Sequence, residues 1–105
     1  MKAILRQCFA LVTLAVICSA YGLADGGADF RERCAPCHGS KGAGDSKLGQ
    51  SLHVRDLGSA DVQKQSDADL TTIITKGKGK MHAYDGKLSA DQITNLVKYI
   101  RTLKK

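Results

Sequence analysis

The chain has 105 residues, 16 basic against 10 acidic side chains, a formal charge of +6, 43% hydrophobic residues, one proline and no tryptophan. That length is enough for one small domain. A modest positive charge with so few aromatics gives no basis for nucleic-acid binding, although it would favour encounter with acidic protein surfaces.

The first 24 residues read as a segment apart. Lys2 and Arg6 form a positive start, Cys8 through Ile17 an apolar run, and Gly22-Leu23-Ala24 a small-x-small cleavage signal. Together they describe an export signal peptide cut after Ala24, with Ala20 as the alternative site. The apolar run is broken by Ser19, Tyr21 and Gly22, and is shorter than the ~20 residues a membrane-spanning helix needs. Ala15-Val16-Ile17 before Cys18 lacks the small residue that lipid attachment at that cysteine would require. Residues 25–105 then form the working domain, with fourteen basic against ten acidic side chains and a charge of +4. A chain of that size buries a marginal core and usually needs a staple. It keeps only Phe30, Tyr84 and Tyr99 as aromatics, and Cys34 and Cys37 as its only cysteines.

In chain order, a first helix is expected from about Gly26, with Ala28, Phe30 and Cys34 at roughly helical spacing and Gly39 suited to its end. From Gly39 to Gln65 the chain reads as irregular, with Gly42, Gly44, Gly49 and Gly58 and little periodicity. So long a loop is unusual unless something fills its interior; Leu48, Leu52, Val54 and Leu57 are the inward-facing candidates. Ser66 caps a second helix with Leu70, Ile73 and Ile74 as its stripe and Gly77 at its end. A basic, glycine-rich stretch from Lys76 to Lys80 leads to Met81, the one methionine of the working domain. Ser89-Ala90-Asp91-Gln92 is a capping box that opens a terminal helix with Ile93, Leu96, Val97, Ile100 and Leu103 on one face.

The chemistry is concentrated in Cys34-Ala35-Pro36-Cys37-His38, a C-x-x-C-H motif. This is the spacing at which two thiols, about one helical turn apart, add across the vinyl groups of a haem, while the following histidine supplies a ligand to the iron. Three other readings compete. A zinc site needs four well-placed ligands, and adjacent Cys37 and His38 share a tetrahedral metal poorly; His53 and His82 stand at no finger spacing. A thioredoxin-like pair calls for a strand before the motif, whereas Asp29 to Arg33 reads as helix. A Cys34–Cys37 disulfide would staple almost nothing. Haem attachment is the reading that uses every residue of the motif.

With these residues in view, the working domain resembles a small class I bacterial cytochrome c of the c6-like kind. The resemblance rests on the attachment motif, the Gly26–Phe30–Cys34 spacing, the Gly-Lys-Gly-Lys-Met segment and the terminal helix with Leu96 and Tyr99. It implies an all-α fold of about three main helices and long loops wrapped around one covalently bound haem c. It also implies Cys34 and Cys37 as thioether attachment points, His38 and Met81 as axial iron ligands, and close packing of Gly26 and Phe30 against Leu96 and Tyr99. The implied function is that of an exported, periplasmic monohaem carrier passing single electrons between larger redox proteins, and not an enzyme, since both axial positions are filled. The rival readings are a haem enzyme or gas sensor with a labile sixth ligand, and a bound subunit of a larger oxidoreductase. The chain departs from the family at residue 82, where His82 replaces a common proline. That removes a conformational lock and sets a second competent ligand beside Met81. Lys41, Lys47, Lys76, Lys78 and Lys80 are candidates for a ring that steers acidic partners, Arg55 could pair with a haem propionate, and His53 is expected at the surface or on the propionate side.

Overall fold

The computed structural model describes residues 26–105, so the expected signal peptide, residues 1–24, and the expected first residue of the mature chain lie outside the described residues. All the regular elements are helical: α1 (Gly26–Asp29), a π-helical segment (Phe30–Cys34), α2 (Ala35–His38), α3 (Lys47–Leu52), α4 (Ala60–Gln63), α5 (Asp67–Lys76) and α6 (Ala90–Thr102). Bridging between extended residues is limited to two isolated pairs, Lys78 with Met81 and Asp85 with Leu88. The fold is all-α.

The first three elements wind continuously, so the expected helix leading into the motif is present. Its middle is wound more widely, as the Ala35 N–H donating to the Phe30 carbonyl shows; such π turns interrupt α-helices most often at functional sites. The stretch from Gly39 to Gln65 is less irregular than its composition suggests, since it contains α3 and α4. Both are too short to show a hydrophobic period, and each begins on a serine. Ser46, Ser59, Ser66 and Ser89 accept hydrogen bonds from the N–H groups of Gly49, Val62, Asp69 and Gln92. Each of these otherwise orphaned helix-start donors is thereby satisfied. At Ser89 the box closes in both directions, with the Ser89 N–H donating to Gln92 Oε1 at 2.9 Å.

The core joins Phe30, Val62, Leu70, Ile74, Leu88, Ile93, Leu96, Val97 and Ile100, with Phe30 and Leu96 the largest side chains wholly removed from solvent. Its densest point is the crossing of α1 with α6. A Cβ at Gly26 would overlap the Asn95 carbonyl, so only glycine lets the two backbones meet. The rings of Phe30 and Tyr99 lie 5.0 Å apart at 42°, within the range of favourable tilted aromatic pairs. Arg101 then fastens α6 to the segment before α5, donating to the carbonyls of Gln63 (2.9 Å) and Gln65 (2.6 Å) and to the Asp67 carboxylate. Among the described residues no helix is long and apolar enough to cross a membrane.

Candidate functional site

One cavity of about 320 Å³ opens beside this core, and its wall contains Cys34, Cys37, His38 and Met81 together. The volume lies at the lower end of what small-molecule and cofactor sites occupy. The rest of the wall is largely aliphatic. Leu52, Val54 and Leu57 come from the long connection, Leu70, Ile73 and Ile74 from α5, and Leu96 and Ile100 from α6. Of the four inward-facing candidates in the connection, Leu48 is corrected. It is 48% exposed, the one large hydrophobic side chain among the described residues turned to solvent; the buried position of α3 is Gly49, and Leu48 lies at the solvent-facing start of the helix.

The π segment and α2 set the motif against the cavity, and α3 braces it from behind. Ser46 Oγ lies 3.0 Å and 2.8 Å from the carbonyls of Pro36 and Cys37 while accepting the Gly49 N–H at 2.9 Å. Gly49 permits this close approach, since a Cβ there would run into the Cys37 carbonyl. This brace was not read from the sequence. A serine followed three residues later by a glycine carries no signal that a motif ten residues upstream will dock on it.

Cys34 and Cys37 are both half-buried and unjoined. Burial first, and then the Asp29 carboxylate, push the Cys34 thiol up to about 11. That argues against a redox-active pair, which depends on a thiolate of lowered pKa. Burial also lowers the pKa of His38, holding its imidazole in the neutral form that ligates metals. His38 Nδ1 is buried without a hydrogen-bond partner; such an atom costs about 1–3 kcal/mol, a cost that ligation by the same ring can offset. Among the described residues no three His, Cys, Asp or Glu side chains gather as a metal-ligand group, so a zinc site lacks its donor set. Two thiols, one neutral imidazole and one thioether around an apolar cavity form a donor set suited to haem c.

Met81 sits in a tight turn between Gly77 (φ 74°) and Ala83, with Gly79 at φ 58°. The Lys78 N–H donates to the Met81 carbonyl at 3.3 Å, and the Met81 N–H to the Lys78 carbonyl at 3.0 Å. His82 is exposed and also borders the cavity. His53 is exposed, as expected, and ends α3 in the left-handed region. Of the basic candidates, Lys78, Lys80 and Arg55 line the mouth, joined by Arg33, which the sequence did not single out; Lys41, Lys47 and Lys76 are exposed away from the wall. The four cations at the mouth are exposed and form no salt bridge among the described residues.

The chain is similar to several known proteins. The family described as cytochrome C oxidase, cbb3-type, subunit III matches residues 22–100. The chain is 35% identical over 77 residues to cytochrome c6 of Microcystis aeruginosa, covering 72% of this chain and 90% of that one. It is 36% identical over 77 residues to cytochrome c6 of Leptolyngbya boryana, covering 73% and 87%. The solved structure of the KustC0563 c-type cytochrome superposes with a TM-score of 0.72 at 31% identity, over 78% of this chain and all of that one.

Proposed function

The chain belongs to the class I cytochromes c, of the c6-like kind, and from that premise we propose that it is an exported monohaem carrier of single electrons. The observation that carries the proposal is the convergence of Cys34, Cys37, His38 and Met81 on one apolar cavity. Cys34 and Cys37 would hold haem c through two thioether bonds, and His38 and Met81 would ligate its iron. Bound there, haem supplies reversible one-electron transfer, with a potential that His/Met ligation raises.

The remaining work belongs to the chain. The aliphatic wall from the connection, α5 and α6 excludes water, and the Ser46 brace keeps the motif backbone in place. With His38 and Met81 both ligating the iron, no coordination site would be left for a substrate, which makes the protein a carrier and not an enzyme. Residues 1–24 direct export to the periplasm or an equivalent compartment and are removed, leaving residues 25–105. Arg33, Arg55, Lys78 and Lys80 at the mouth draw redox partners with acidic docking surfaces.

Mass spectrometry of protein exported in a host with haem-maturation machinery tests this directly. It should show one covalent haem on a chain that starts at Asp25, and haem extractable into acid acetone would overturn the attachment. The reduced protein should give the same spectrum with and without carbon monoxide; a shift would favour a gas-binding or catalytic haem. Electron-transfer rates with an acidic partner should fall as salt shortens the Debye length, which is ~10 Å at 0.1 M.

A second reading, a bound subunit of a larger oxidoreductase, draws support from the description of the matching family. Copurification with membranes from the native host would favour it over a diffusing carrier.

A further inference from the structure

The loop that carries Met81 is held by very little of its own. Among the described residues, no side chain from residue 78 to residue 83 makes a hydrogen bond or ion pair, and the backbone bonds within the turn are the two between Lys78 and Met81. Both glycines of the turn have positive φ, and no residue from 77 to 83 is a proline. What ends the loop is Tyr84. Its N–H donates to the Ile74 carbonyl at 3.1 Å, and its own carbonyl accepts from the N–H groups of Lys87 and Leu88, both at 3.0 Å. Its ring packs against the core and lines the cavity. Its hydroxyl then reaches across 51 residues of sequence and donates to the Arg33 carbonyl at 3.1 Å. Arg33 lies in the π segment, immediately before Cys34.

We propose that Tyr84 is a positioning residue, whose hydroxyl latches the Met81 loop to the helix bearing the attachment motif and so keeps the Met81 side chain at the cavity. The proposal deepens the reading of Met81 as an axial ligand and rests on it for its consequence at the iron. The latch itself is a property of the loop. The backbone bonds of Tyr84 tie the loop only to the end of α5 and to the turn that follows. Among the described residues, the hydroxyl makes the only hydrogen bond between the loop and the element that holds Cys34. One side-chain hydrogen bond therefore connects the two halves of the donor set.

The test compares the holoprotein with Tyr84→Phe, which keeps the ring and its packing, and with Tyr99→Phe, which removes a hydroxyl that makes no hydrogen bond among the described residues. The first readout is amide hydrogen exchange at Lys78 and Met81, whose N–H groups make the loop's internal bonds. Tyr84→Phe should speed exchange there roughly fivefold, the worth of one net hydrogen bond of about 1 kcal/mol, with α6 unchanged. Tyr99→Phe should leave the loop at the wild-type rate. Exchange at Lys78 and Met81 that is the same in wild type and Tyr84→Phe, or that rises equally in Tyr99→Phe, overturns the latch.

The second readout is the weak far-red sulfur-to-iron band of the oxidised protein. The band should be present in wild type and fade at a lower temperature in Tyr84→Phe. A wild type without the band refutes methionine ligation, while the exchange measurement still decides the latch. The two failures are thus distinguishable.

Discussion

The crossing of α1 with α6 and the loop from Gly77 to Ala83 both border the haem cavity, yet they are built by opposite means. At the crossing, backbones approach until only glycine fits, Phe30 is wholly buried, and the Phe30 and Tyr99 rings stack at 5.0 Å. In the loop nearly every residue is exposed, and order depends on a two-residue backbone exchange and the Tyr84 hydroxyl. The crossing is stabilised by buried area and dense packing, where a lost methylene is felt. The loop is stabilised by a few directional bonds, each worth about 1 kcal/mol. A carrier benefits from this division. The scaffold resists change, and the proposed ligand from a distant part of the chain, Met81, sits in a loop whose proposed attachment a single substitution can tune.

The sharpest way to break this contrast is at Phe30. Phe30→Ala empties the centre of the crossing and should cost about 4 kcal/mol, in the range for deleting a buried aromatic; denaturant unfolding of the holoprotein measures it, and a loss below 1 kcal/mol would mean the crossing is not the keystone.

Next comes Gly26→Ala, where the added methyl meets the Asn95 backbone. Because a backbone carbonyl cannot rotate aside, the helices must separate, at about 3 kcal/mol by the usual cost of overpacking. The same unfolding experiment should show it, with the Phe30–Tyr99 contact loosened as well.

In the loop the expected effects are smaller and can have the opposite sign. The His82 N–H makes no hydrogen bond among the described residues, so His82→Pro removes no partner and restricts the unfolded chain. It should stabilise the loop by about 0.5 kcal/mol, seen as slower exchange at Met81 and a higher temperature for loss of the far-red band. A loss of stability would show that residue 82 needs a backbone angle proline cannot adopt. The same variant removes the imidazole that could compete with Met81.

The mildest effect belongs to the far end of the scaffold, where Asp56 pairs with Lys105. The Lys105 side chain and then the Gly58 N–H hold the Asp56 carboxyl below its ordinary value. A carboxyl whose folded pKa lies below its unfolded value of about 3.9 adds stability that is complete above that value and is lost as pH falls through the folded one. Asp56→Asn should therefore be less stable than the parent at neutral pH. Unfolding curves of the two should begin to converge as pH falls below about 3.9 and meet once it has fallen through the lowered folded value, whereas a gap that persists below that value would point to packing and not to charge.

The amino-acid sequence by itself determined the local features of this protein. The C-x-x-C-H spacing, the serine caps at Ser66 and Ser89 and the periodic stripes of α5 and α6 are each set within a few residues, where helical geometry is a strict ruler. Cys34, Cys37 and His38 were named from the motif, Met81 and the crossing of Gly26 and Phe30 with Leu96 and Tyr99 from the family resemblance, and the fold brings Cys34, Cys37, His38 and Met81 to one cavity. What only the tertiary structure decided is long-range or too short to have a period. Helices α3 and α4 have six and four residues, less than two turns, so no apolar repeat could announce them or show that Leu48 faces water. The wide winding at Phe30–Cys34 leaves no mark in composition. The Ser46 brace, the Arg33 and Arg55 contribution to the cavity mouth, and the Tyr84 bond to the Arg33 carbonyl all depend on where distant segments meet. Side-chain hydrogen bonds to backbone carbonyls carry no residue code at the accepting end, so 51 residues of separation hid that tie until the chain was folded.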